Sequence, residues 1–328
     1  MDRPTLGGRA GGAVVRFLDD LGWAEATREP LAGDASTRVY TRLRQGSKTA
    51  ILMQDPDGDV DLFARLARHL TGLGLSAPRV YGQAKGLLLL EDLGDGLIAR
   101  LASDTPEQPL YIVATDALIA LHRHAAPSGL PVATPDRLAQ MIDLAFLHYA
   151  DRPDLIAQAT DALRPVLATH AMPADVMVLR DYHAENILWL PDRKGAARAG
   201  LLDFQDALQG HRAYDLISLL EDARRDVAPA TVEACIQHYL SATGLPQDAF
   251  RASLAVLGAQ RNLRILGVFA RLAKTRAKPH YIDLIPRVWG HLQTDLNHPA
   301  LAPLRAVIAQ LPIPDAAHLE RLKSCPMP

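Results

Sequence analysis

Three oxygen-bearing side chains stand out by order and spacing. Asp181 and Asn186 lie five residues apart in "LRDYHAENILW", a polar island between two apolar runs. Val176, Met177, Val178 and Leu179 precede it, and Ile187, Leu188, Trp189 and Leu190 follow. Asp203 ends the next apolar run in "GLLDFQDA". So many polar groups are costly to bury, so the island reads as a loop where one short strand ends and another begins. "PDRKGAAR" reads as the bend of a hairpin that carries Asn186 towards Asp203. Amide and carboxylate oxygens are what Mg²⁺ takes when phosphates complete its shell. Asp181, beside them, can accept a proton from a hydroxyl. One base and two metal-holding groups suit phosphoryl transfer, where positioning and electrostatics supply most of the catalysis. Taken singly, Asp181 with Asn186 is a polar turn that caps its own backbone, and Asp203 is a strand-end turn. Their order and their apolar flanks favour the chemical reading.

The elements that must position them fall into two textures. Residues 13–24 have the pattern of a short amphipathic helix. "RVYTRLRQGSKTAILM" reads as a hairpin turning at "QGSK", with the small-residue loop Gly33–Thr37 before it. Leu62, Leu66, Leu70 and Leu73 repeat at helical spacing. "PRVYG" and "GLLLLEDLGDG" read as two further strands. Beyond them, "LYIVATDALIALHRH" and "RLAQMIDLAFLHYA" carry apolar faces of helical period, and from residue 211 the chain reads as helical. The expected fold is α+β and two-lobed: a small β-rich N-terminal lobe over residues 1–92 and a larger, mostly helical lobe over 93–328. A cleft between such lobes is a usual place for a ligand.

Bulk properties narrow the class. The 328 residues are 48% hydrophobic and carry a net charge of −2. That charge selects neither nucleic acid nor an anionic membrane. No apolar run reaches the length of a membrane span, and the N-terminus shows no secretory h-region. The two cysteines, Cys235 and Cys325, form neither a disulfide framework nor a metal site. A cytoplasmic monomer is expected.

The order Asp181, Asn186, Asp203 resembles the catalytic loop and metal-binding aspartate of the protein-kinase-like superfamily. "DYHAENIL" and "LLDFQDALQGHRAYDLISLL" resemble its aminoglycoside phosphotransferase branch. Within that branch, "GDASTRVY", "AILMQDP", "LLLLEDLGD" and "QRNLRILGVFARLA" are similar to bacterial kinases of amino sugars in cell-wall recycling. The resemblance spans roughly residues 30–290 by motif order. It implies ATP and Mg²⁺ as cofactors, with Asp181 as base and Asn186 and Asp203 on the metal. The acceptor it implies is the anomeric hydroxyl of N-acetylmuramate and/or N-acetylglucosamine, and the product a sugar 1-phosphate. It gives Asp215 a bracing role at the catalytic loop. It also places the adenine-reading backbone at Glu91–Leu93. The small-residue loop is not the family's G-x-G-x-x-G, yet Gly33, Ala35, Ser36 and Thr37 are residues whose backbone N–H groups and hydroxyls can approach phosphate.

Two positions depart from the pattern. Leu179 stands where a histidine is usual, two residues before the base. Met53 occupies the strand position of a phosphate-reaching lysine, so another cation is needed. Arg38 is the candidate, its fork suited to phosphate, with Lys48 as the alternative.

Acceptor contacts are assigned to His183, Gln205, Asp206, Arg261 and Arg264. His183 has a competing role in ordering its own loop. Arg261 and Arg264 lie on or beside an apolar helical stripe. An arginine there needs an anionic partner or a path to water. That partner is Asp206, Glu221 or Asp222 in a structural ion pair, or else a carboxylate on the substrate. His211 can bond sugar hydroxyls, and Tyr182, Trp189 and Tyr281 are either sugar-stacking faces or core. Two competing functions remain. One is a kinase of the same branch acting on an aminoglycoside, choline or homoserine. The other is a pseudokinase-like nucleotide binder, which Met53 favours and the intact aspartate–asparagine–aspartate set opposes.

Overall fold

The computed structural model describes residues 9–31 and 38–324, with side chains from residue 12 onward. Helix α1 (Arg9–Asp20) precedes β1 (Thr27–Leu31), β2 (Val39–Gln45) and β3 (Lys48–Gln54). α2 (Val60–Gly72), β4 (Val80–Ala84) and β5 (Leu87–Glu91) follow. The strands form one antiparallel sheet in the order β1-β2-β3-β5-β4. β2 and β3 join at a two-residue turn, Gln45 opposite Lys48, whose first central residue is Gly46 at φ +59°. A tight hairpin needs that left-handed conformation. The sheet's inner residues Leu43, Ala50, Leu52 and Leu89 pack on Val14, Phe17 and Leu18 of α1. α1 ends at Asp20, earlier than the periodicity suggests, because Gly22 turns at φ +74° and the Trp23 N–H closes on the Leu18 carbonyl. α2 opens on Asp59, whose carboxylate accepts the Leu62 N–H at 2.8 Å, and buries Phe63, Leu66 and Leu70.

This first compact unit runs to Gly96 and also takes in Leu188–Gln205. The second begins at Leu97 and resumes at Asp206, so a single cut after residue 92 does not describe the division. The reason is a set of contacts that fasten 188–205 to the first unit. Trp189 N–H donates to Gly96 O at 2.7 Å and Leu201 N–H to Ser76 O at 2.8 Å. The buried Ser76 hydroxyl donates to Ala197 O at 2.5 Å. The rings of Phe63 and Phe204 meet at 4.8 Å. Within this segment lie most of β7 (Ile187–Trp189) and all of β8 (Ala199–Leu201), paired as a two-stranded sheet.

The second unit holds α3 (Ile98–Asp104), α4 (Glu107–Leu121), α5 (Pro135–Gln140), α6 (Ile156–His170) and α7 (Ala213–Leu220). α8 (Pro229–Thr243), α9 (Gln247–Arg276), α10 (Ile285–Leu296), α11 (Ala302–Ile308) and α12 (Ala316–Lys323) complete it. Its β-structure is the antiparallel pair β6 (Val176–Val178) and β9 (Leu208–Gly210). Of the expected stripe Leu138, Met141, Ile142, Ala145 and Tyr149, all but the half-buried Met141 are buried. The chain there is broken, however: α5 stops at Gln140 and a π turn follows over Ala145–Tyr149. Among the described residues, no helix is long and apolar enough to cross a membrane.

Candidate active site

The loop after β6 is held from below. The Leu179 and Arg180 N–H groups donate to the two carboxylate oxygens of Asp215, at 2.6 and 2.8 Å. Asp215 sits wholly buried in the first turn of α7. Burial pushes its carboxyl up to about 7, against the pull of those two N–H groups. Arg180 lies at φ +76°, a left-handed conformation that costs a non-glycine residue free energy and persists only when its surroundings fix it. The paired N–H bonds to one carboxylate fix it here. Leu179, in the usual histidine position, is buried and contributes its backbone N–H to the same brace.

Asp181 follows, half-buried. Asn186 donates its side-chain NH₂ to the Asp181 carbonyl at 2.9 Å and to His183 Nε2 at 3.3 Å. Both amide hydrogens are therefore used inside the loop, and Oδ1 is the end left for a ligand. The buried His183 also receives Arg224 Nη1 on Nε2 at 3.4 Å. Two donors on Nε2 assign the hydrogen to Nδ1. Burial first, then the charges of Arg224 and Arg261, hold His183 well below the usual imidazole range, so it is neutral. Its Nδ1–H has no hydrogen-bond partner among the described residues. Glu185 pairs with Arg224 at 2.9 Å, and Arg180 lies 3.9 Å from Asp206. Both ties hold the loop's charged side chains.

In the first unit, Asp203 stands just beyond β8 at φ +56°, the second strained non-glycine residue of the candidate set. Its Oδ1 accepts from Gln205 Nε2 at 2.8 Å and from Arg38 Nη1 at 3.4 Å. Arg38 Nε also pairs with Asp55 at 2.9 Å. Asp55 is buried just past β3; the sequence signal for it is only an acid at a strand end before proline. Met53 is buried in β3 between Tyr40 and Leu88, so no charge stands there. Lys48 sits at the opposite end of the hairpin from Arg38, and of these two cations it is Arg38 that bonds to Asp203. Ser36 and Thr37 lie outside the described residues.

The segment after β5 is fixed by side chains that the sequence did not single out. Arg193 pairs with Glu91 at 2.6 Å. The buried Arg42 pairs with Asp92 at 2.9 Å and Asp95 at 2.8 Å. The Glu91 N–H donates to Arg79 O at 2.8 Å. Leu93 lies over β8 close to Gly200, where an added Cβ would meet its Cδ1 at 3.3 Å.

The acceptor candidates separate. Gln205 serves Asp203, and Asp206 is exposed beside Arg180. Arg261 is buried, and its Nη1 donates to the backbone carbonyl of Glu221 at 3.2 Å. Among the described residues it forms no ion pair with Asp206, Glu221 or Asp222, the partners the sequence offered. Glu221 instead joins Asp295 through the Asn262 amide, at 2.7 and 3.0 Å, and burial raises both carboxyls. Arg264, one turn further along α9, is half-buried. His211 Nδ1 accepts the Ala213 N–H at 3.2 Å. Tyr182 and Tyr281 are core residues, and Arg198 lies over the Trp189 ring.

A five-stranded antiparallel sheet with its helix, a helical unit, and a braced Asp181–Asn186 loop define a protein-kinase-like phosphotransferase that uses an alcohol group as acceptor. Residues 27–251 match the phosphotransferase enzyme family, APH, and the chain belongs to that family. It is 41% identical to the N-acetylmuramate/N-acetylglucosamine kinase of Caulobacter vibrioides, covering 92% of this chain and 96% of the relative. It is 31% identical to the protein of the same name from Pseudomonas aeruginosa, covering 89% and 91%. A choline/ethanolamine kinase family protein from Mesorhizobium loti shares the fold at TM-score 0.64 and 17% identity, over 91% of this chain and 98% of that one. A gentamicin-bound APH(2")-IIa does so at 0.61 and 13%, over 92% and 99%.

Proposed function

We propose that this protein transfers the γ-phosphoryl group of ATP to the anomeric hydroxyl of an amino sugar, N-acetylmuramate and/or N-acetylglucosamine. The sugar 1-phosphate so formed belongs to peptidoglycan recycling, and the enzyme works as a cytoplasmic monomer with no nucleic-acid or membrane partner. The observation that carries the chemistry is the loop: Asp215 fixes the peptides before Asp181, and Asn186 uses both amide hydrogens internally, which leaves its oxygen for a ligand. The acceptor follows from likeness to relatives that bear the amino-sugar kinase name over nearly their whole length.

Asp181 orients the acceptor hydroxyl and takes its proton as the oxygen attacks the γ-phosphorus. Asn186 Oδ1 and the Asp203 carboxylate are hard oxygen donors that fit Mg²⁺. Mg²⁺ held by them would supply charge neutralisation on the phosphates. Arg38, held between Asp55 and Asp203, supplies the cation that Met53 does not. Ser36 and Thr37 contribute phosphate contacts, and the backbone at Glu91 and Leu93 receives the adenine. Of the acceptor candidates, His183, Asp206, Arg261 and Arg264 are kept for the acceptor, while Gln205 holds Asp203. The arginines near the loop disfavour a cationic acceptor such as choline or an aminoglycoside. A nucleotide-binding pseudokinase has no use for a braced base.

The test is Asp181→Asn. ATP-dependent phosphorylation of both sugars is expected to fall at least a thousandfold while ATP affinity, read by calorimetry, stays within about threefold, a barrier increase of about 4 kcal/mol. Turnover retained in the variant rejects the role.

A further inference from the structure

We infer that Arg264 is the residue by which this enzyme tells a carboxylate-bearing acceptor from a neutral one, its guanidinium receiving the lactyl carboxylate that N-acetylmuramate has and N-acetylglucosamine lacks. The inference rests on the amino-sugar reading above and adds the determinant of preference within it.

Several other arginines of the same unit have visible counter-charges. Arg224 pairs with Glu185, Arg225 with Glu107, Arg212 with Asp175 and Arg287 with Asp226, at 2.6 to 3.3 Å. Arg261, one turn before Arg264 on the same face of α9, is anchored on the Glu221 carbonyl. Arg264 has no hydrogen bond or ion pair among the described residues, yet it is half-buried. Its charged neighbours include Arg180 and Asp181, the loop residue assigned to the acceptor hydroxyl. Burial first, and the like charge of Arg180 next, hold the Arg264 guanidinium below its usual value. Asp181 offsets this only in part, so a further anion would stabilise the half-buried cation. Arginine's planar fork matches a carboxylate in two parallel bonds. The lactyl group hangs from C3 of the ring whose C1 hydroxyl meets Asp181, so one sugar can engage both residues.

A competing role is that Arg264 serves Asp181 by holding its charge. The two differ in which substrate suffers. Arg264→Gln is expected to lower the ratio of kcat/KM for N-acetylmuramate over N-acetylglucosamine at least tenfold, chiefly through KM for N-acetylmuramate. Arg264→Lys, which keeps the charge but not the fork, should recover part of that ratio. Measurable turnover of N-acetylglucosamine shows that each variant is folded. An equal loss on both sugars, carried by kcat, overturns the inference in favour of service to Asp181. A ratio within twofold of the wild type also overturns it. Wild-type enzyme that phosphorylates neither sugar removes the amino-sugar reading itself, and the inference with it.

Discussion

A single buried carboxylate carries much of the candidate site. Asp215 accepts two consecutive peptide N–H groups, one on each oxygen, and so sets where Asp181 begins. In Asp215→Asn one oxygen becomes an NH₂, which faces a donor and leaves that donor unpaired. An unpaired buried donor costs about 1–3 kcal/mol, and Arg180 at φ +76° loses half of what holds it. The expected outcome is a lower melting temperature and a kcat reduced roughly a hundredfold or more, the latter equal to about 2.7 kcal/mol of barrier. Steady-state kinetics with a thermal melt checks this; kcat within threefold of wild type contradicts the bracing role. At this scale the sequence was legible for residues whose identity is chemical. Asp181, Asn186 and Asp203 could be picked out by type and order. Asp55, Arg42 and Arg193 could not. Their roles depend on partners distant in the chain, such as Arg193 with Glu91, and nothing local marks them.

Among the elements, periodicity worked where one face is buried and failed where it is not. The β2–β3 hairpin and α2 could be read from alternation, helical spacing and a glycine turn. β1 could not: four of its five residues are exposed, it includes Pro30, and it lies at the sheet's edge, where pairing needs no apolar face. α6 carries Pro165 in its interior, a residue that argues against a helix. The break between α5 and the π turn has its counterpart on α9. There, a Cβ added at Gly267 would overlap the backbone at Leu144 and Ala145. That glycine allows α9 to cross this backbone at close range. Gly267→Ala is therefore expected to destabilise the protein by about 1–3 kcal/mol despite alanine's better helix propensity. Urea unfolding followed by circular dichroism measures it. A gain in stability, as for an exposed helical glycine, contradicts the crossing.

For the whole molecule, length and near-neutral charge suited a two-part small-molecule enzyme, but the division within the chain was not linear. Leu188–Gln205 belongs with the N-terminal unit, tied there by Gly96, Ser76 and Phe63. Asp203 is thereby carried by one unit while Asp181 and Asn186 are carried by the other. A sequence cut at a composition change cannot see this, because the tie is made by residues distant in the chain, as in Ser76 with Ala197. The central claim is that this chain phosphorylates an amino sugar at its anomeric oxygen. It is tested most directly by incubating the protein with ATP, Mg²⁺ and, separately, N-acetylmuramate, N-acetylglucosamine, choline, homoserine and an aminoglycoside, with products read by proton and phosphorus NMR. The account predicts phosphate on an amino sugar with the anomeric proton split by phosphorus. Phosphate on another ring position, or transfer only to a non-sugar acceptor, contradicts it.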